Sequence, residues 1–235
     1  MADQVILIDK PYQWTSFDVV NKLRKPLLEL RRLDFPVHER KTIKNYKVGH
    51  AGTLDPLATG LLILCTGKLT TTISEIQSQE KEYTGTIVIG ATTESYDLEK
   101  PIENHRSIEH VNEALILESI KKFTGEIEQR PPVHSAVKID GKRAYELARK
   151  GLQVETAFKK VTIYWFEITG INLPEINFRI VCSKGTYMRS IAHDLGQELG
   201  TGAYLSALRR TRIGDFSVDA AVSPADFLSK MAINQ

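Results

Sequence analysis

Asp55 is the only charged residue between Lys47 and Lys68, in the stretch VGHAGTLDPLATGLLILCTG. Four glycines (Gly49, Gly52, Gly60, Gly67) and one histidine, His50, accompany it, and an apolar run follows at once. Loop aspartates that merely face water usually keep polar company. A lone carboxylate in a glycine-shaped segment suits nucleophilic or acid–base chemistry. The residue before a proline is pushed to extended geometry, so Asp55-Pro56 places the acid on a turn. A structural role is also open, because the carboxylate could cap a short helix beginning in PLATG.

Arg189 falls about three residues into an expected helix, where the positive end of the dipole disfavours a cation. An anion would relieve that conflict, either a phosphate or a carboxylate such as Asp55; a surface pair with Asp194 is the plainer alternative. Tyr83 stands near the start of an expected strand beside Lys81, a position where most tyrosines pack. Two basic clusters carry interleaved apolar or aromatic residues. Arg209, Arg210 and Arg212 follow Leu205 and Leu208, and Lys142, Arg143, Arg149 and Lys150 flank Tyr145. Such a pattern suits looped RNA, gripped through phosphates and stacking. Between residues 22 and 47 nine Lys/Arg face three Asp/Glu, which gives either a solvated face or a phosphate-contacting strip.

Other chemistries lack their residues. The six histidines form no HExxH or Cys/His ligand spacing, so no metal is expected. No GxGxxG or P-loop occurs, which removes nucleotide cofactors on motif grounds. A glycosidase needs two acids, and none stands near Asp55 in sequence. Cys65 and Cys182 end apolar runs without CxxC spacing and read as reduced core residues of a cytoplasmic protein. No apolar window reaches the length of a membrane span, and the amino terminus has no secretory pattern. With a formal net charge of only +2, a polyanion must be met by a local patch.

The elements that must position these residues can be read from periodicity. Residues 4–8 form a short strand, and Thr15 or Ser16 caps a helix carrying Phe17, Val20, Leu23, Leu27 and Leu30, with Pro26 predicting a break. Residues 61–65 read as a buried strand and 68–77 as a helix. In the strand starting at residue 81, Tyr83, Gly85, Ile87 and Ile89 share one face and Thr84, Thr86 and Val88 the other. Residues 107–123 read as a helix with Val111, Leu115 and Ile120 inward. Strands at 161–173 and 176–182 are joined at Pro174-Glu175. A helix follows with Thr186 as cap and Ile191, Leu195 and Leu199 as its stripe, and Ser223-Pro224 opens a last short helix. Strands and helices mix without strict βαβ alternation, so a mixed sheet is expected.

GHAGTLDPLATGLLILCTG resembles the catalytic motif of the TruB family of pseudouridine synthases. KPYQWTSFDVV, KEYTGTIVIG, QRPPVHSAVKIDGKRAYELARKG, CSKGTYMRSIAHDLG and ALRRTRIG follow in the family's order, from about residue 5 to 216. The resemblance implies an α/β mixed (α+β) fold, with a central mixed, largely antiparallel sheet flanked by helices. It also implies isomerisation of the T-loop uridine at position 55 of tRNA. Asp55 then matches the nucleophile, Tyr83 the tyrosine stacking on the target base, and Arg189 the arginine paired with the aspartate. His50 matches the histidine that helps extrude the base, Leu208 an apolar lining residue, and Tyr187 a residue shaping the site. Residues 129–160 correspond to an RNA-clasping insertion, which gives Lys142 and Arg143 a substrate-binding role.

The chain departs from the family in three places: Gln13 stands where glycine is usual, His134 where tyrosine or phenylalanine is usual, and the tail after Phe216 is too short for the C-terminal RNA-binding domain of larger relatives. The expected organisation is one catalytic domain over residues 1–235 with a short tail at 217–235 and no separate RNA-binding domain. No cofactor and no metal are implied. The expected partner is the tRNA T stem-loop, bound by a monomer. The alternatives are a non-catalytic tRNA-binding or folding module, and a hydrolase that releases uracil.

Overall fold

The computed structural model describes residues 3–133, 138–139, 142–143 and 156–233. His134, Tyr145, Arg149 and Lys150 lie outside the described residues, and of Lys142 and Arg143 only the backbone is described. The chain divides into two compact units, residues 1–81 with 209–235 and residues 82–208.

The first unit is built on strand β3 (Ala58–Thr66), antiparallel to β1 (Val5–Lys10) and to the short β2 (Val48–His50). β3 is buried on both faces, which explains its unbroken apolar run. Leu62 and Leu64 meet Ile6, Ile8, Val19, Val20, Leu23 and Leu27 on one side. Leu61, Ile63 and Cys65 meet Ala51, Ile76 and Ile213 on the other. Helix α1 (Ser16–Leu33) supplies the first cluster's lid. It begins at Thr15 through a reciprocal capping box with Asp18, worth about 1 kcal/mol.

Pro26 does not break α1, contrary to expectation; the helix runs through it. Its missing N–H would have met the carbonyl of Lys22, which is exposed, so water can take that bond. The helix expected at 68–77 is a 3₁₀ segment, Gly67–Thr72, followed by α2 (Ile73–Ser78). Thr70, Thr71 and Thr72 each donate a hydroxyl bond three residues back, to Gly67, Lys68 and Leu69, which favours the tighter winding.

The second unit carries β4 (Lys81–Ile89), the two-residue strands β5 (Thr92–Thr93) and β6 (Ile102–Glu103), β7 (Gly125–Gln129), the insertion ladder of β8 (Lys138–Ile139) with β9 (Lys142–Arg143), β10 (Lys159–Asn172), β11 (Glu175–Cys182) and the first part of β12 (Ala203–Ile213). Its sheet runs β12, β4, β11, β10, β7. The β10–β11 hairpin and the β7–β10 pair are antiparallel, and an isolated parallel bridge joins Asp97 to Leu205. A Cβ at Gly85 would collide with the Ala207 carbonyl and the Phe178 ring, so only glycine permits this close approach of β4 to β12. The alternation read along β4 holds, with Tyr83, Ile87 and Ile89 buried. The fold class is the expected mixed α/β arrangement.

Helix α3 (Glu113–Lys121) is shorter than the helix expected over 107–123. Asn112 accepts a bond from the Leu115 amide, and so strong a cap sets the start there. Ile116 is buried along with Ile120, where Leu115 had been expected. Helix α4 (Met188–Glu198) starts after Tyr187, which makes no side-chain cap bond, and the hydroxyl of Thr186 instead donates to the Ser183 carbonyl. In the first unit, the last part of β12 pairs with β13 (Phe216–Ser217). Helix α5 (Pro224–Ile233) then packs Phe227, Leu228 and Met231 onto the first hydrophobic cluster. None of the described helices is long and apolar enough to cross a membrane.

Candidate active site

Asp55 lies in a turn that feeds directly into β3, with the Ala58 amide donating to its carbonyl at 3.1 Å. No helix begins at PLATG, so the capping role is not available to its carboxylate. Five consecutive carbonyls around it are each tied down. Arg210 donates to Gly52 (3.0 Å) and Thr53 (3.3 Å), and Ser16 Oγ to Leu54 (3.3 Å). Ala58 serves Asp55 itself, and Pro56 receives the Gln13 amide (2.9 Å) and the Lys10 ammonium (3.3 Å). The Leu54 amide also donates back to Ser16 Oγ at 2.8 Å. A loop with every carbonyl satisfied has few alternative backbone paths, and the acid it carries is held in one direction.

Two of those anchors are buried cations. Arg210 is 1% exposed, and it adds a 2.8 Å bond to the Leu61 carbonyl. Lys10 is fully buried, donating also to the carbonyls of Trp14 at 2.5 Å and Pro11 at 3.1 Å. Burial pushes the Lys10 ammonium down to about 8, the Asp55 charge opposing that shift and Arg210 adding to it. Both cations thus contribute positive charge to the surroundings of the acid. Lys10 was legible in principle: in VILIDK the inward positions alternate as Ile6, Ile8 and Lys10.

Of the arginines in ALRRTRIG, Arg210 is buried and faces the loop instead of solvent, while Arg209 and Arg212 keep partly exposed side chains. Arg209 makes a two-point pair with Asp9 (3.0 and 2.7 Å), Arg212 pairs with Glu80 at 2.8 Å, and Arg210 is spent on the loop. A buried guanidinium gains more from fixed carbonyls than from the surface, where its field is screened by water.

Gln13 adopts a left-handed backbone, φ 65°, where the family pattern has glycine. That conformation turns its amide toward Pro56. His50 ends β2, and its Nδ1 is buried without a hydrogen-bond partner among the described residues. Burial holds the imidazole below its usual range, with nearby Arg210 acting in the same direction, so the ring is neutral at pH 7.

In the second unit, Arg189 is 4% exposed in the first turn of α4, which removes the surface pair with Asp194. Its guanidinium donates to the Ser95 carbonyl at 3.3 Å and lies 3.6 Å from the Asp97 carboxylate, itself buried. An anion therefore does meet this cation at the helix's positive end. Asp97 gave no signal in the sequence, since its partner is 92 positions away. The start of α4 is bolted in place by Gln129, a buried side chain at the end of β7. Its amide donates to the Tyr187 carbonyl (3.1 Å) and its carbonyl accepts from the Tyr187 amide (2.8 Å). Ser190 Oγ adds a bond to the Arg130 carbonyl at 2.8 Å.

Asp55 and His50 thus belong to the first unit, and Tyr83, Tyr187, Arg189 and Leu208 to the second. Tyr83 is buried beside Ile87 on one face of β4, and Leu208 is half-buried in β12. Lys142 and Arg143 form β9, paired with Ile139 and Lys138. Among the described residues no three His, Cys, Asp or Glu side chains gather to hold a metal. Cys65 and Cys182 are buried free thiols.

Residues 40–188 match the family described as TruB family pseudouridylate synthase (N terminal domain), and residues 189–235 match the tRNA pseudouridylate synthase B C-terminal domain. A protein named tRNA pseudouridine synthase B from Flavobacterium johnsoniae is 56% identical over 222 residues, covering 94% of this chain and 93% of its own. Its namesake from Parabacteroides distasonis is 48% identical over 236 residues, covering 99% and 96%. Two solved structures share the fold. A chain of a Cbf5-Nop10-Gar1 complex superposes with a TM-score of 0.65 at 30% identity, over 93% of this chain and 51% of that one. A chain of an H/ACA RNP bound to a substrate RNA containing 2'-deoxyuridine gives 0.64 at 27%, over 96% and 52%. This chain spans about half the length of those two.

Proposed function

The chain belongs to the TruB family of pseudouridylate synthases, and from that premise we propose that it isomerises the T-loop uridine at position 55 of tRNA to pseudouridine. One observation carries the reading: the single carboxylate of the glycine-rich motif stands in a loop whose carbonyls 52–56 are each hydrogen-bonded. A nucleophile gains from being held at one position and direction, because orientation lowers the barrier before any bond forms.

The uridine must leave its stack to be reached, which costs a few kcal/mol. His50, neutral and half-buried, helps extrude it, and Tyr83 stacks on the flipped ring. Asp55 then attacks the nucleotide, the N1–C1′ glycosidic bond breaks, and the base rejoins the ribose through C5; the bond to Asp55 is released, C5 gives up its proton and N1 takes one up. Arg189, fixed by Ser95 and Asp97, supplies positive charge to the carboxylate chemistry, and Tyr187 and Leu208 shape the pocket walls. The insertion at 129–160 clasps the T stem-loop, with Lys142 and Arg143 on phosphates. The enzyme works in the cytoplasm as a monomer, without cofactor.

The test is to incubate the purified chain with an unmodified tRNA transcript and map pseudouridine. Product at the T-loop uridine, lost in Asp55→Asn, is the expected result. Full activity in Asp55→Asn, or no product from the wild type, would overturn the reading. Binding without conversion would instead leave a tRNA-folding module, and released free uracil a hydrolase.

A further inference from the structure

We propose that Tyr96, stacked on His193, is a positioning residue that holds Arg189 in place. This rests on the reading that Arg189 serves the isomerisation. Tyr96 stands between the two residues that grip the guanidinium, Ser95 through its carbonyl and Asp97 through its carboxylate. Its backbone is in the left-handed region, φ 63°, which tyrosine adopts only where its surroundings impose it.

The surroundings are specific. The Tyr96 amide donates to the Thr93 carbonyl at 3.2 Å, and its carbonyl accepts the Leu205 amide at 2.9 Å. Asp97 is laced into the same loop: its carboxylate accepts Ser95 Oγ (2.6 Å) and the Glu99 amide (3.0 Å), and its carbonyl accepts Thr93 Oγ1 (2.7 Å). These bonds shape the loop but do not attach it to α4. The ring does. Tyr96 and His193 stack with centroids 4.0 Å apart and planes 19° apart.

His193 is four residues after Arg189, on the same face of α4. The stack and the guanidinium therefore join one short loop to one helix face at adjacent points. His193 Nδ1 is buried with no hydrogen-bond partner among the described residues, and the ring meets Tyr96 through its face. Without the stack, the Ser95 carbonyl and Asp97 carboxylate can drift, and the direction of the guanidinium relaxes with them. Glycine at position 96 would relieve the backbone strain while deleting the ring, which separates positioning from mere loop stability.

The test measures single-turnover pseudouridine formation, tRNA affinity and melting temperature for Tyr96→Gly, Tyr96→Phe, His193→Ala and His193→Phe. A displacement near an ångström costs on the order of a hundredfold, so Tyr96→Gly and His193→Ala should each lose about that much in rate. Affinity for tRNA should stay within about twofold, because no phosphate contact is touched. The two phenylalanine variants keep a stacking ring and should retain the wild-type rate within about threefold. A wild-type rate in His193→Ala overturns the proposal even if Tyr96→Gly fails to fold, and so does a wild-type rate in a folded Tyr96→Gly. Loss of rate in Tyr96→Phe equal to that in Tyr96→Gly also overturns it. In any of these cases the isomerase reading stands as long as the wild type is active and Asp55→Asn is not.

Discussion

Arg210 Nη2 lies 3.0 Å from the carbonyl oxygen of Gly52, residues 158 positions apart in the chain, and this contact anchors the loop that carries Asp55. The same guanidinium serves Thr53 and Leu61. Of carbonyls 52–56 the loop's own backbone meets that of Asp55, through the Ala58 amide, so buried side chains and the Gln13 amide complete the set.

Replacing Arg210 by Met should therefore leave three carbonyls without a donor, at roughly 1–3 kcal/mol for each buried group. The expected loss is about 3–5 kcal/mol of stability, with slowed pseudouridine formation at temperatures where the variant is folded. Urea denaturation reads the first and a timed tRNA assay the second. A variant as stable as wild type would mean that the loop does not depend on this side chain.

Lys10 makes stability depend on pH with a definite sign. Its folded-state value is near 8, against 10.5 for an ordinary lysine. Between these limits the unfolded chain holds the proton that the folded chain has released, so stability rises with pH across that window and is flat below it. Relative to Lys10→Met, the wild type should gain roughly 2–4 kcal/mol between pH 7 and 10.5. Parallel urea titrations at several pH values check this, and a constant difference between the two proteins contradicts it.

Gln13 holds a left-handed backbone at a cost of roughly 1–2 kcal/mol to a residue with a Cβ. Gln13→Gly removes that cost but gains freedom in the unfolded chain, so the net stabilisation should be about 0.5–1 kcal/mol. For a chain of this size that is a rise of about 1–4 °C in melting temperature, readable by calorimetry. The amide bond to Pro56 is backbone, so activity should be unchanged; a fall in melting temperature would refute the strain argument.

Lys142 and Arg143 lie on β9 of the insertion. If both contact phosphates, their alanine variants should weaken tRNA binding with little effect on the rate of bound complexes. The slope of log affinity against log salt should become shallower by about one per residue. Filter binding across a salt series measures it, and an unchanged slope removes them from the interface.

The family motif around Asp55 and the alternation in β4 were open to reading because both are local: spacing along the chain decides turn, strand face and burial. Helix starts were less so, since Thr186 and Asn112 are both good caps and only the second is used as one. The burial of Arg210 was hidden for a different reason. Composition cannot distinguish a cation facing solvent from one whose partner, the Gly52 carbonyl, lies far back in the chain.

By itself the sequence determined that one carboxylate stands isolated among glycines and that the chain follows the order of motifs of its family. The tertiary structure alone decided how that carboxylate is held. Its loop is bonded by Lys10, Gln13, Ser16 and Arg210, which come to it from 38 to 158 positions away. Likewise Asp97 and Tyr96 acquire their relation to Arg189 and His193 only through packing. The physical reason is that a buried polar group must find a partner wherever the fold brings one, and that choice leaves no periodic trace in the chain.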